Sequence, residues 1–364
     1  MRSDATGELR ALLDARIAIL DGAMGTTIRE YGLDETAARG ERFATAPKDL
    51  LNNGDILSLT QPGVIGTIHT RFLEAGSDII ETNTFSATSI SQSEFFVEDP
   101  RQTGGRKNPE FFQGILDDPF LQDLARDLNV ESTRLARQCA DRVEEKTGLK
   151  RYVAGAIGPL TVSLSNAPDH DDPAFRVVTF DQVAQAYREQ AKALMDGGCD
   201  ILLVETIFDS LNAKAAVVAI QELFEEEGVR LPVIISAAVG RGGETMISAQ
   251  KIEALWIAFR HVNPLAIGLN CSLGPDLMRP FLAQLAQVAE TYTSCYPNAG
   301  LPNPLAPTGF DLEPRHMADY LGEFAEAGLL NLAGGCCGNT PDHIAAIAEA
   351  VKRHAPRHTS LLAA

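Results

Sequence analysis

The chain has 364 residues, 45% of them hydrophobic and 22% charged, the composition of a folded globular protein rather than a disordered one. Its 31 Lys and Arg against 49 Asp and Glu leave a net charge of −18. That balance argues against a nucleic-acid-binding face and against an anionic membrane surface, since both need clustered cations.

Residues 1–15 carry acids and no apolar core, so they do not read as a signal peptide. The longest uncharged run, 291–310, is interrupted by Pro and Asn and does not read as a membrane span. Six Cys without a secretory signal point to reduced thiols and a cytoplasmic location rather than a disulfide framework.

Short apolar runs then recur along the chain at 16–21, 78–83, 152–157, 200–205, 232–237, 265–270, 292–297 and 329–333. They are near-continuous rather than alternating, as parallel strands covered on both faces are. Helical periodicity follows them. After the fourth run, Leu211, Ala215, Val218 and Leu223 share a face. After the eighth, Thr340 and Pro341 make a helix start, with Ile344, Ile347 and Val351 as the buried stripe. Eight such units in series predict an α/β fold, a single (β/α)8 TIM barrel over 1–355, with 356–364 as a flexible C-terminal tail. A doubly wound sheet uses the same local units, but the count of eight favours the barrel. Two connections are long. The stretch 22–77 holds a loop before a helix near 62–75, and the polar, Phe-rich stretch 95–128 reads as an insertion on the barrel rim.

In such a barrel the residues at the C-terminal strand ends form the active site. Those ends carry Asp21, Glu81 with Asn83, Glu205, Cys271, Asn298, and the pair Cys336–Cys337. Cys271 and the pair meet only if the sixth and eighth strands both point at the mouth. Three thiolates suit Zn2+, and three protein ligands leave a fourth position open, as in catalytic sites. Helices expected to start at Pro275 and Pro341 put positive dipole ends near these thiols. Buried core cysteines are the competing explanation. Cys139 and Cys199 fall in helical stretches and read as core, while Cys295 reads as barrel wall or as a fourth ligand of a closed site. Asp21 and Glu205, acids ending apolar runs, suit an ammonium group such as an α-amino acid offers. Helix capping or pairing with a neighbouring cation is the alternative for each, and Glu81 and Asn83 carry less signal. His69 and His261 read as surface or cap groups, and His170 lies in an acidic loop without a role. No phosphate-binding glycine motif follows any strand.

The segments LDGAMGTTIREYGL, RGERFA, LNNGDILSLTQP, AGSDIIETNTF, VETIFDSLNAKAA, IGLNCSLGP, YPNAGLPN and GGCCGNTPDHI closely resemble the homocysteine-binding domain of cobalamin-dependent methionine synthases. That domain is one branch of the homocysteine S-methyltransferase family, and the resemblance spans nearly the whole chain. It implies Zn2+ on Cys271, Cys336 and Cys337, with the sulfur of L-homocysteine as fourth ligand and Asn298 able to take that position without substrate. It implies Asp21 and Glu205 at the substrate amino group, with Asn83 beside them. It implies methylcobalamin as methyl donor, not bound by this chain alone, and cobalamin- and folate-binding domains or proteins as partners. The 95–128 stretch is longer than the family pattern. A betaine- or S-methylmethionine-dependent methyltransferase, a non-catalytic zinc-binding barrel subunit, and a barrel lyase using Glu205 as base are the alternatives. Trp256, the one Trp, falls on a helix away from the strand ends and so outside any cage for a quaternary ammonium.

Overall fold

A computed structural model describes residues 4–358. The chain runs through β1 (Ala18–Ile19), β2 (Ile79–Glu81), β3 (Tyr152–Ile157), β4 (Ile201–Ile207), β5 (Val233–Ala237), β6 (Ala266–Asn270), β7 (Tyr292–Tyr296) and β8 (Leu332–Ala333). All ladder pairs are parallel, in the order β1-β8-β7-β6-β5-β4-β3-β2. A parallel bridge from Leu20 to Ile79 and a 2.8 Å hydrogen bond from Asp78 N–H to Ile19 O join the two edges. The sheet is thus a closed (β/α)8 barrel.

Side chains alternate across the barrel wall, as the two-residue period of a strand requires. Ile79, Tyr152, Ala154, Ile201, Leu203, Ala266, Tyr292 and Tyr296 belong to the interior cluster. Ile80, Val153, Leu202, Val204, Ile267 and Leu269 pack outward against the helices. The same period sends Glu81, Glu205 and Asn270 inward, at the upper ends of their strands. The wall is a parallel sheet buried on both faces, which is why its strands read as unbroken apolar runs.

Three stretches differ from the sequence reading. The segment 1–15, read only as no signal peptide, holds a helix, Thr6–Ala15, whose Leu9 and Leu13 are fully buried in the interior cluster. Two leucines four positions apart suffice to plug the lower end of the barrel. The stretch 95–128 is not all rim. Helix Pro109–Leu116 buries Phe112 and Leu116, and the 29-residue helix Pro119–Thr147 buries Leu121, Leu124 and Leu128. The connection 97–108, between helices Ser89–Phe96 and Pro109–Leu116, has no buried residue. Finally, 356–358 is not tail. Arg357 is buried; it donates to Ala286 O, Ala289 O and Thr291 O, and its own carbonyl accepts from Asn331 Nδ2 at 2.9 Å. Those first carbonyls include the open end of helix Pro275–Val288, which a guanidinium satisfies well. The remainder of the expected tail, 359–364, lies outside the described residues. No helix among the described residues is long and apolar enough to cross a membrane.

Candidate active site

β6 ends at Asn270, and Cys271 and Ser272 follow with φ of 56° and 57°. Left-handed backbone costs a residue bearing Cβ about 1–3 kcal/mol. It is held here by Ser272 Oγ donating to Val239 O at 2.7 Å and by Leu273 N–H donating to Cys271 O at 2.6 Å. The loops after β7 and β8 are laced together beside it. Cys336 N–H donates to Pro297 O at 2.9 Å, and Ala299 N–H to Cys337 O at 2.8 Å. Gly335 is packed so closely that a Cβ there would lie 2.2 Å from Asn339 Cγ, and Gly338 has a φ of 83°.

These turns bring Cys271, Cys336 and Cys337 together, their Sγ atoms all within 4.8 Å of one another, and Cys271 and Cys337 stand 3.9 Å apart. Three thiolates about 2.3 Å from a tetrahedral zinc would be separated by about 3.8 Å. The donor set and its spacing therefore fit such an ion. The thiols share protons unequally. Hydrogen bonds from Cys271 and Cys336 push Cys337 down to about 3, with help from the charge on Arg29. The same hydrogen bonds hold Cys336 well above its ordinary range. A cation bound among them would draw the thiols into the thiolate form.

The cluster lies at one side of a cavity of about 460 Å3, with Asp21, Glu81, Glu205 and Tyr296 on its other walls. Burial, then the neighbouring charge of Glu81, holds Asp21 well above the usual carboxylate range. Burial lifts Glu81 to about 8. Glu205 is raised by burial and then by the charges of Glu81, Cys271 and Asp21. Asp21 Oδ2 accepts the Glu81 N–H at 3.1 Å, while Asp21 Oδ1 is buried with no hydrogen bond. The site has room and acceptors for a cationic group, and Arg29 is the one cation on the cavity wall among the described residues.

Glu205 owes its position to a break in β4. The pairing with β5 shifts register between Val204 and Ile207, and Thr206 takes a φ of 54°. Asn270 holds the break, accepting the Thr206 N–H at 3.1 Å and donating to Thr206 Oγ1 at 2.7 Å.

The homocysteine S-methyltransferase family model matches residues 18–351. The chain belongs to this family. Among solved structures, the metallated form of the homocysteine methyltransferase MmuM from Escherichia coli matches with a TM-score of 0.66 and 22% identity, over 93% of this chain and 98% of that one. Its oxidized form matches with a TM-score of 0.67, again at 22% identity, over 94% and 98% of the two chains. At this identity the likeness shows the shared barrel.

In this chain Cys271, Cys336, Cys337, Asp21 and Glu205 line one cavity. Asn83 also lines it, but its Nδ2 is engaged by Gly54 O at 2.8 Å and Ser58 Oγ at 3.1 Å, which ties two rim loops together. Asn298 is buried just past β7, its Oδ1 without a hydrogen bond and its N–H donated to Leu273 O at 3.0 Å. Cys295 is fully buried against Met278, Sγ to Sδ 3.4 Å, in the barrel wall. Cys139 and Cys199 are buried too. His69 is a correction: it is no surface group but fully buried on helix Pro62–Glu74, both ring nitrogens unbonded, and burial lowers it to about 4. Its sequence signal was there, four positions after Ile65 and three before Phe72 on the buried stripe. Glu81, Tyr296 and Asn270 are the residues the sequence reading undervalued; the inward period of β2, β7 and β6 marks all three. Asp55 was missed as well. It accepts the Ser86 N–H at 3.0 Å at the cavity edge, and burial lifts it to about 7.

Proposed function

We propose that the chain transfers a methyl group to the sulfur of L-homocysteine, giving L-methionine. Cys271, Cys336 and Cys337 would hold Zn2+. Asp21, Glu81 and Glu205 would receive the substrate ammonium, and methylcobalamin on a separate domain or protein would be the donor. The observation that carries this is the meeting of three thiols and three raised carboxyls in one cavity of family-matched chain.

A zinc ion in the thiol cluster would supply the positive charge that keeps a fourth thiol ionised near neutral pH. The chain's own residues do the rest. Asp21 offers its unbonded Oδ1 to an ammonium N–H, and Glu205 and Glu81 complete the acceptor set. An amino acid anchored there, with its side chain pointing across the cavity, presents sulfur at the cysteines. The thiolate lone pair forms the S–C bond, the bond from the methyl carbon to the donor breaks, and that electron pair stays with the donor. The thiol proton passes to solvent before transfer. A thioether would be a poorer ligand for zinc than a thiolate, which would favour release of methionine.

A non-catalytic barrel with a closed structural zinc needs a fourth protein ligand. Cys295, packed on Met278 in the wall, is poorly placed to be one. Incubating the purified protein with homocysteine and a panel of methyl donors, then assaying methionine, tests the reading. No methionine from any donor defeats it.

A further inference from the structure

A second, larger cavity of about 950 Å3 opens beside the first, over the ends of β3 and β4. The two share Glu205 as a common wall. The larger one has no thiol, so the sulfur chemistry does not explain it. Its volume lies in the range of sites that enclose a small organic molecule. Its inner surface is apolar, from Ile157, Leu160, Val162, Val177, Ile207 and Phe208.

Its outer lip is built by the one stretch of 95–128 that stays on the rim. Arg101, Arg106 and Lys107 all reach the cavity from there. The Arg106 guanidinium lies 3.5 Å from the centre of the Phe175 ring, and its Nη2 meets Asp169 at 2.8 Å. The stack fixes the plane of the guanidinium, and one ion pair leaves most of its five N–H donors for a ligand. Lys107 is largely covered and meets Glu94 at 2.7 Å. The facing wall is braced from below: Asp209 accepts from Ser163 Oγ, Ser165 N and Ser165 Oγ at 2.6, 2.9 and 2.7 Å. Arg101 is paired with Asp99, and Glu94, Asp169 and Asp171 share the lip, so Arg106 is the cation there with donors to spare; a firm wall, an apolar floor and that guanidinium make a receptor for a molecule with an apolar body and one anionic group.

We propose that this cavity seats the methyl donor, its apolar body against the floor, its anionic group at Arg106, and its methyl end meeting homocysteine past Glu205. The inference rests on the methyltransferase reading above. It makes the rim segment 97–108 a donor-binding element. Small methyl-onium donors carry a carboxylate and methylcobalamin a phosphate. Both offer an anion to the lip; a small donor would enter whole, whereas a corrinoid, its methyl on the central cobalt, would lie over the opening and reach the lip only with its phosphate.

The test fills the cavity with Val162→Trp and, separately, Val177→Trp, both half-buried positions on its wall. Each variant is assayed for zinc content, homocysteine affinity by calorimetry, and methionine formation with methylcobalamin, S-methylmethionine and betaine. With whichever donor the wild type uses, turnover should fall about tenfold or more, as misplacement of a reacting group does, while zinc and homocysteine affinity hold. Arg106→Gln is the surface variant that cannot fail through core packing. It should raise the donor KM by about three- to tenfold, leave the homocysteine KM alone, and lose its effect as salt rises. An active wild type whose variants keep the wild-type donor KM overturns the cavity assignment alone. A wild type inert toward all three donors overturns the methyltransferase reading and this inference with it.

Discussion

Asn270 clasps Thr206 across the barrel mouth, its Oδ1 on the Thr206 N–H at 3.1 Å and its Nδ2 on Thr206 Oγ1 at 2.7 Å. Asn270 immediately precedes Cys271, and Thr206 immediately follows Glu205. One buried amide therefore sets the thiol cluster and the acidic wall relative to each other. Asn270→Ala leaves both Thr206 groups unpaired in a buried place, at about 1–3 kcal/mol. The expected outcome is weaker homocysteine binding together with lower zinc affinity in a folded protein. A variant that lost only thermal stability would reduce Asn270 to a structural residue.

The metal prediction follows from the spacing of the sulfurs. The purified protein should hold about one zinc, as a near-complete tetrahedral donor set does. Cys271→Ser, Cys336→Ser and Cys337→Ser should each lose most of the metal and the activity. Cys295→Ser should keep both, because that thiol faces Met278 rather than the cluster. Metal analysis by mass spectrometry reads the result, and zinc loss from Cys295→Ser with retention in Cys271→Ser would reverse the ligand assignment.

The acids are predicted to recognise the amino group and not the metal. Asp21→Asn and Glu205→Gln should weaken homocysteine binding by about 2–5 kcal/mol, the usual cost of removing one partner of a desolvated charge pair. Glu81→Gln should act in the same direction. Zinc content should not change. A thiol without an amino group should bind all three variants as it binds the wild type; equal losses for both thiols would assign the carboxyls to the fold.

Two buried groups give opposite pH slopes. Glu81 is raised from 4.5 to about 8. The folded state therefore favours its protonated form, and its contribution is complete below pH 4.5 and is lost as pH rises toward 8. His69 is lowered from 6.5 to about 4, so the folded state favours the neutral ring, and its contribution is present above pH 6.5 and lost as pH falls toward 4. Melting temperatures of the homocysteine-free protein should fall on both sides. Glu81→Gln should flatten the alkaline fall and His69→Leu the acid one. An unchanged alkaline fall in Glu81→Gln would mean that another group titrates there.

The rim segment and the helices after it should respond differently to deletion. Replacing 97–108 by a short Gly/Ser linker should leave zinc content and solubility intact. Phe112→Ala or Leu121→Ala, each in the core, should cost about 2–5 kcal/mol. Chemical denaturation distinguishes the two, and insoluble protein from the linker variant would place 97–108 in the core as well.

How much of this was legible in the sequence depends on whether a local period carried it. The run 152–157 is β3 as read, and the barrel follows from the series of such runs. β1 is shorter than its run because Arg16 turns aside to Asp78, paired at 2.6 Å, and Leu20 makes only a bridge. The three cysteines were legible because strand ends of a barrel converge. Glu81 stands two positions after Ile79 and so shares its inward side, a signal the reading passed over for Asn83. Arg357 had no local signal at all. Its partners, Ala286, Ala289 and Thr291, are brought to it by the closure of the barrel.

The choice of donor is the last prediction, and the aromatic rings bear on it. Betaine is a quaternary ammonium, which proteins commonly hold against the faces of several rings, Trp being the best. Trp256 is buried on helix Ile252–Phe259 and lines neither cavity. Phe85 and Phe208, which follow β2 and β4, lie on different cavities, Phe85 with the cysteines and Phe208 with Arg106. The face of Phe175 is occupied by Arg106. Tyr187 in the larger cavity has its hydroxyl committed to Gly158 O at 3.1 Å. The cavity with the cysteines is lined by Phe85, Phe95, Tyr296 and Phe310 but not by Trp, the best ring for a quaternary nitrogen. Phe85, Met246, Ile247, Leu301 and Leu305 stand exposed in the loops that follow β2, β5 and β7. Such a rim suits a large donor pressed over the opening better than a small cation within it. The expectation is methionine formation from homocysteine with methylcobalamin, free or carried by a separate protein, and negligible turnover with betaine. Both donors are compared at one enzyme concentration, with zinc and homocysteine saturating. Faster methionine production from betaine would place the chain in the other branch of its family and return Phe85 and Tyr296 to consideration as the cation-binding rings.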